Sequence, residues 1–449
     1  MERKKVVKKS FVLIWLFCLV QSWGMFSAAN SWGAGKTPKV ITLKTAIQIA
    51  LEQNKDIHKA REYKNLVQGR YVEERAAALP QLTLTGNLSR NRDETLGSLA
   101  DGLYPLQNDT RSIEVGITQV LYAFGQVGAA IRAAKIGLAT AEDQLRIFQQ
   151  AVMRDVSSSF YDVLLAHELK QIAAENLEQK KRLLDEARKK NALGTATEYD
   201  VLAAEVDVEN ARPPLIRAEN LIQISKERLW FLLAIDGKGT EVEGNLQVSP
   251  RPYPGSEEAV QTAWKNRPDL SDLAKRVGVG QELVKIYDAG DKPRIDFKAG
   301  YGWRELDYGD MEGQGQVWTA GVYLSFPFFD GLRTRGKVAQ AQSDVRTLKI
   351  EQAKLRDSIS LQVQEAINAL RESTEIMKAL GGTVKQAAKL LYLAEKGFEF
   401  GVKTKLEVDD AQVNLIQAKG NLAKARRDYL VARVNLEWVM GTITADWTP

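Results

Sequence analysis

The sequence predicts a mainly α fold with a small membrane-type β part, the whole plan occurring twice. Three observations carry this. Residues 126–193 hold no proline and keep apolar or small residues at every seventh position. That stretch returns as a near copy about 206 residues later, a period too long for a solenoid and fitting an internal duplication. Each copy is preceded by two runs that alternate apolar with small or polar residues, the pattern of a strand with one apolar face.

Residues 1–29 read as a secretory signal. Arg3, Lys4, Lys5, Lys8 and Lys9 lead into the apolar run from Phe11 to Val20, and Ser27, Ala28 and Ala29 offer a small-residue cleavage site. The run is shorter than the ~20 residues that span a bilayer as a helix. Cys18, the only cysteine, lies inside it behind bulky Phe17, which argues against a lipid anchor. Residues 30–41 are expected to be flexible.

Repeat 1 covers 42–237. Its helical part, 42–79, opens at Thr42 and is punctuated at Asn54. Strands are expected at 81–90 and 112–122. Leu82, Leu84 and Leu88 alternate with Thr83, Thr85 and Ser89 in the first, as Ile113, Val115 and Ile117 do with Ser112, Glu114 and Gly116 in the second. About ten tilted residues are what a membrane strand needs. A helical hairpin at 125–235 follows, its first arm spanning roughly 100 Å at 1.5 Å per residue. One row of that arm reads Ile131, Leu138, Leu145, Val152, Ser159, Ala166, Ala173, and a second reads Val156, Val163, Leu177, Leu184, interrupted by Lys170. Such heptads make a coiled-coil seam. The tip lies at Gly194, where a positive φ can end one helix, and Thr195 or Thr197 can cap the next. Pro213 and Pro214, with Gly420 at the matching place later, predict a kink or break in each returning helix.

Residues 238–255, rich in proline and glycine, read as a linker. Repeat 2 covers 256–441: helices at 256–290, strands at 294–303 and 316–326, and a hairpin at 331–440 with its tip at Gly401. Residues 442–449 form a tail. Trp303 and Trp318 fall at one end of the second strand pair. Tyr122, Phe124, Phe326, Phe328 and Phe329 gather where strands meet helices. Aromatic belts at both edges mark a membrane interface, with lipid as the neighbour. The competing reading is a half-buried sheet packed on helices. In a membrane, four strands cannot close a barrel, so copies must pool them, and eight or twelve are the simplest totals.

The net charge is +5, and most of it lies in residues 1–29, so no nucleic-acid footprint remains in the rest. No catalytic constellation, cofactor site or metal site is legible. His58 and His167 are the only histidines and neither has a partner at ligand spacing. Gly35-Lys36-Thr37 imitates the end of a phosphate loop, but Asn30 replaces its first glycine and no strand precedes it.

The chain resembles the TolC-like outer-membrane channel proteins. The residues that carry the likeness are Asn266-Arg267-Pro268-Asp269-Leu270, Phe326-Pro327-Phe328-Phe329-Asp330-Gly331, and the two tips with Tyr199-Asp200-Val201-Leu202-Ala203-Ala204 and Leu406-Glu407-Val408-Asp409-Asp410-Ala411. The resemblance implies a homotrimer in the outer membrane, with a twelve-stranded β-barrel above a twelve-helix α-barrel reaching into the periplasm. It implies a passive, non-enzymatic exit duct for a tripartite efflux pump or type I secretion system. Its partners would be a periplasmic adaptor and, through it, an inner-membrane pump of the RND, ABC or MFS type. A structural or adhesive coiled-coil envelope protein is the alternative.

By the same resemblance, Leu193-Gly194-Thr195 and Phe400-Gly401-Val402 are the adaptor-docking tips. Asp200 takes the acidic place and Lys403 the basic place of a gate latch between hairpins. Phe398 stands where the family has a tyrosine and cannot donate a hydrogen bond, so the latch is expected to be weak. An ion pair at about 4 Å is worth ~1 kcal/mol in water and ~4 kcal/mol at an effective dielectric of ~20. Glu407 and Asp410 take the places of pore-lining carboxylates, with Asp409 turned away from the pore.

Overall fold

The computed structural model describes residues 39–92, 107–248, 250–307 and 312–445. The expected signal peptide, most of the segment at 30–41, and the end of the tail at 442–449 lie outside them.

The chain opens with β1 (Val40–Ile41), then α1 (Leu43–Gln53) and α2 (Lys55–Ala76). Thr42 caps α1 through a capping box with Thr45. Asn54 ends α1 and starts α2, its Oδ1 accepting from the amides of Asp56 and Ile57 at 2.9 and 3.3 Å. One residue thus satisfies two helix ends, which is why 42–79 is two helices. Strands β2 (Gln81–Arg92) and β3 (Gln107–Tyr122) precede the hairpin of α3 (Gln126–Ala192) and α4 (Glu198–Leu233).

Strand β4 (Glu241–Val242) follows. Then come α5 (Ser256–Asn266), α6 (Pro268–Asp288), a single 3₁₀ turn, β5 (Arg294–Asp307), β6 (Glu312–Ser325), α7 (Arg333–Glu399) and α8 (Lys405–Val439). The first arms, α3 and α7, are both 67 residues long.

Four expectations need correction. Residues 238–255 are not a loose linker. Glu241 and Val242 pair in parallel with Val40 and Ile41, and Leu246 enters the core. Ile41 is fully buried by the same pairing, so the flexible segment ends before it. The returning helices are unbroken. α4 runs through Pro213 and Pro214, and α8 runs through Gly420. Each proline removes one amide donor, but the helix on either side is long enough to carry the loss. The strands run 12, 16, 14 and 14 residues rather than about ten. Charge pairs extend the ladder past the apolar rows: Arg90 donates to Asp109 at 2.7 and 2.8 Å, and Arg111 to Glu305 at 3.0 Å.

The four long strands form one antiparallel sheet in the order β2-β3-β5-β6, so β3 and β5 join the two repeats edge to edge. On one face, Leu82, Ile117, Ala299 and Ala320 stand in register across the sheet. Leu84, Val115, Tyr301 and Trp318 form the next row. The other face carries Thr83, Gly116, Gly300 and Thr319, then Thr85, Glu114, Gly302 and Val317. A Cβ on Gly300 would collide with the Glu114 carboxylate, so the missing side chain leaves room for Glu114 to lie along this face of the sheet.

The main core is drawn from both repeats. Val156, Phe160, Val163, Leu229 and Leu233 of the first hairpin meet Ile359, Val363, Leu370, Val434 and Leu436 of the second. The heptad rows are visible in it: Val152, Val156, Ser159, Val163, Ala166, Ala173 and Leu177 are buried, while Ile131, Leu138 and Leu145 are half-buried. Lys170 turns out of the seam to Glu219 at 3.2 Å. Nearer the sheet, α6 lies along α3 through charged pairs, Lys275 on Asp143 at 2.6 Å and Arg132 on Glu282 at 2.8 Å.

Candidate functional site

Two regions stand apart from the core: the sheet at one end of the hairpins and the two tips at the other. The sheet is open. Its edges, β2 and β6, have no partner strand among the described residues. Among the described residues no helix covers its apolar face, where Leu82 is 73% and Trp318 72% exposed. This removes the competing reading of a sheet packed on helices. Trp303 pairs with Gln316, one outward row beyond the Tyr301–Trp318 row. At the other edge a register shift between Val120 and Tyr122 sets Tyr122 opposite Ile295. Its ring meets Phe124 edge-on at 4.9 Å. Phe326, Phe328 and Phe329 are exposed beside this edge.

The joints between strand and helix repeat as well. Phe124 and Gly125 both have positive φ, as do Gly331 and Leu332. Two consecutive left-handed residues redirect the chain from strand to helix, and each joint places one residue with a side chain where glycine is favoured.

The tips are built alike. After α3, the amide of Gly194 donates to Asn191 O at 2.9 Å and that of Thr195 to Lys190 O at 2.9 Å. After α7, Gly401 donates to Phe398 O at 3.0 Å and Val402 to Gly397 O at 2.8 Å. Gly194 and Gly401 have φ of +71° and +72°. This is the Schellman closure, which needs a left-handed residue. Leu193, Thr195, Phe398, Phe400 and Val402 are exposed around these glycines.

The returning helices start with matching capping boxes. Asp200 accepts from the Thr197 amide at 2.9 Å and its hydroxyl at 2.7 Å. Glu407 accepts from the Thr404 amide at 2.9 Å and its hydroxyl at 3.1 Å. Lys403 also donates to Glu407, four residues on. Asp200 is held below the usual carboxylate range by the Thr197 backbone amide, then by its hydroxyl. Glu407 is held down at about 2, by Lys403 first and Thr404 next. Within one chain, then, Asp200 and Lys403 are not brought together; each has a local partner. Glu407 is partly neutralised by Lys403, whereas Asp410 is exposed.

A third polar feature was passed over in the sequence. Lys180 donates to Asp207 of α4 and to Asp409 of α8, each at 3.0 Å, with its side chain only 12% exposed. The signal was there: Lys180 continues the row Ala166, Ala173, where an apolar or small residue belongs. Asp409 therefore faces the first hairpin. Among the described residues, no three His, Asp or Glu side chains converge on a point that could hold a metal. His167 is half-buried in a groove with Lys170, Lys226 and Glu241; burial and then Lys226 lower its pKa. No helix among the described residues is long and apolar enough to cross a membrane.

The comparisons with known proteins agree with this geometry. The outer membrane efflux protein family profile matches residues 46–234 and 259–442, one block in each repeat. The chain is 24% identical over 389 residues to the outer membrane protein TolC of Vibrio cholerae, covering 82% of this chain and 84% of that protein. It is 24% identical over 413 residues to the probable efflux pump outer membrane protein TtgC of Pseudomonas putida, covering 89% and 82%. Among solved structures, a Pseudomonas aeruginosa membrane protein superposes with a TM-score of 0.78 at 21% identity, over 89% of this chain and 92% of that one. The Campylobacter jejuni CmeC outer membrane channel gives 0.79 at 14% identity, over 90% and 87%. The chain belongs to the outer membrane efflux protein family and is an outer-membrane channel protein extending into the periplasm.

Proposed function

We propose that three copies of this chain form a passive exit duct for a tripartite efflux pump or a type I secretion system. The observation that carries the reading is the open sheet. Its outward rows are apolar, both edges are unpaired among the described residues, and it continues directly into two hairpins of 67-residue first arms. An unpaired edge in lipid costs several kcal/mol for each orphaned backbone group. Pairing β2 of one copy with β6 of the next removes that cost. Three copies close a twelve-stranded barrel, and the hairpins bundle below it into a tube of twelve helices.

In this reading the tips dock a periplasmic adaptor through Leu193-Gly194-Thr195 and Phe400-Gly401-Val402, and the inner-membrane pump supplies the energy. Asp410 and Glu407 line the closed end, with Asp410 the stronger contributor because Lys403 offsets Glu407. A latch from Asp200 to Lys403 of the neighbouring hairpin has to compete with the cap on Asp200 and with Glu407, so it is weak.

Planar-bilayer recording on the purified protein tests this. The reading expects discrete conducting steps selective for cations, with selectivity lost in Glu407→Gln with Asp410→Asn and conductance raised in Asp200→Ala. Selectivity unchanged in the double variant removes the carboxylate ring. Conductance unchanged in Asp200→Ala removes the latch. No conducting steps at all would remove the duct.

A further inference from the structure

The strands continue past the tryptophan end of the sheet, and what they carry there is charged. On the apolar face, the row Gly86, Ile113, Trp303 and Gln316 is followed by Leu88, Arg111, Glu305 and Gln314, then by Arg90, Asp109, Asp307 and Glu312. Arg92 stands in the row beyond, opposite Gln107. Each row lies two residues past the last, which is about 7 Å along a strand and ~5 Å in height at a tilt of ~45°. Tryptophans settle where the hydrocarbon ends, so with Trp303 at that boundary Arg111 reaches about 5 Å and Arg90 about 10 Å into the polar layer.

The formal charges of this belt nearly cancel, but its surface is not neutral. Arg90 grips Asp109 with two donors, at 2.8 and 2.7 Å, and its side chain stays 69% exposed over a carboxylate that is 14% exposed. Arg111 holds Glu305 with one donor at 3.0 Å and is 53% exposed against 31%. In both pairs the carboxylate is the seat and the guanidinium is the surface presented. A guanidinium has five N–H donors, so each keeps some for an outside acceptor. Asp109 faces Arg90 and Arg111 faces Leu88, which makes the two arginines diagonal neighbours, some 7–8 Å apart at the backbone. That spacing lets two planar forks close on one tetrahedral anion. Leu88 is exposed beside them. Asp307 and Glu312 take the β5–β6 half of the belt, so the anion site belongs to the β2–β3 half.

We propose that Arg90 and Arg111, with Arg92 at the upper edge, bind the phosphate of a lipid headgroup in the outer leaflet. The site rests on the reading that turns the apolar face of the sheet toward lipid, and it adds a specific anchor to that face. Free phosphate would meet the same two forks. A lipid also covers Leu88 and the apolar rows below, which gives it the greater hold and makes it the occupant.

Native mass spectrometry of the full chain released from detergent tests this, with two probes: lipid A bearing both phosphates, and the same lipid after phosphatase treatment. Wild type is expected to bind the phosphorylated form about tenfold more tightly. Arg90→Gln with Arg111→Gln is expected to lose most of that preference. Arg304→Gln is expected to keep it, because Arg304 pairs with Ser112 and Gly315 at the same height on the opposite face. Equal binding of the two lipids by wild type overturns the site, and this comparison needs no variant, so it answers even if the double variant folds poorly. An equal loss in Arg304→Gln overturns it too, since charge anywhere on the sheet would then suffice. Lipid A displaced by millimolar inorganic phosphate would assign the forks to the free ion and overturn the lipid. A wild type that conducts nothing in bilayers overturns the duct and leaves the lipid titration to decide the site.

Discussion

The middle of the hairpins and their ends follow the same heptad plan and reach opposite results. In the middle, large side chains such as Phe160, Leu229 and Leu370 interlock across both repeats. Near the tips the cross-hairpin positions hold Asn176, Lys180, Asp409 and Gln412, and each hairpin keeps a small core of its own. A heptad row therefore builds either a rigid body or a separable pair of arms, depending on what fills the seam. Apolar seams resist opening because the exposed surface has no alternative partner, whereas polar seams exchange their bonds for water at modest net cost.

The sharpest way to break this contrast is to truncate one residue in each region. Phe160 is 2% exposed, and Phe160→Ala is expected to cost about 3–5 kcal/mol. Hydrogen exchange read by mass spectrometry should then show lost protection in both hairpins. Loss confined to α3 and α4 would contradict a shared core. Leu391→Ala is expected to cost about 2 kcal/mol, at the low end for such a truncation because its cluster is small. Here the faster exchange should stay within α7 and α8; spread into α3 would mean the tips are not independent.

Smaller effects sharpen the comparison between the two tips. Thr197→Ala and Thr404→Ala each remove a capping box and are expected to cost about 1 kcal/mol, seen as faster exchange in the first turn of α4 or α8 only. The smallest effect is that of pH. Asp200 and Glu407 are both depressed by folding, so their contribution is complete above the ordinary carboxylate range and is lost as pH falls. For Glu407 the loss is centred near pH 2. The second tip should outlast the first, because Ala196 stands in the first where Lys403 stands in the second. Pepsin nicking between pH 4 and 2 reads this directly, and equal nicking of both tips would remove the role given to Lys403.

Much of the architecture was legible because it rests on periodicity. Heptads mark α3, alternation marks the strands, and Thr42, Asn54, Gly194 and Gly401 mark ends through local chemistry. What was not legible depends on partners distant in sequence. Pro213 and Pro214 read as a kink or break, but the long helix around them carries two missing donors without breaking. Residues 238–255 read as a linker, since a two-residue parallel pairing with Val40 and Ile41 leaves no pattern of its own. At the tips, Asp200 and Glu407 were assigned by resemblance to a gate, while the Thr-x-x-acid spacing that makes them helix caps was already present. Lys180 was hidden because its two carboxylates lie 27 and 229 residues away.

The mass of the purified protein in detergent tests the central claim most directly. Light scattering with chromatography, corrected for bound detergent, is expected to give three times the mass of one chain, and removal of detergent is expected to precipitate the protein. A chain that stays soluble and monomeric without detergent, its sheet still open at β2 and β6, would contradict it.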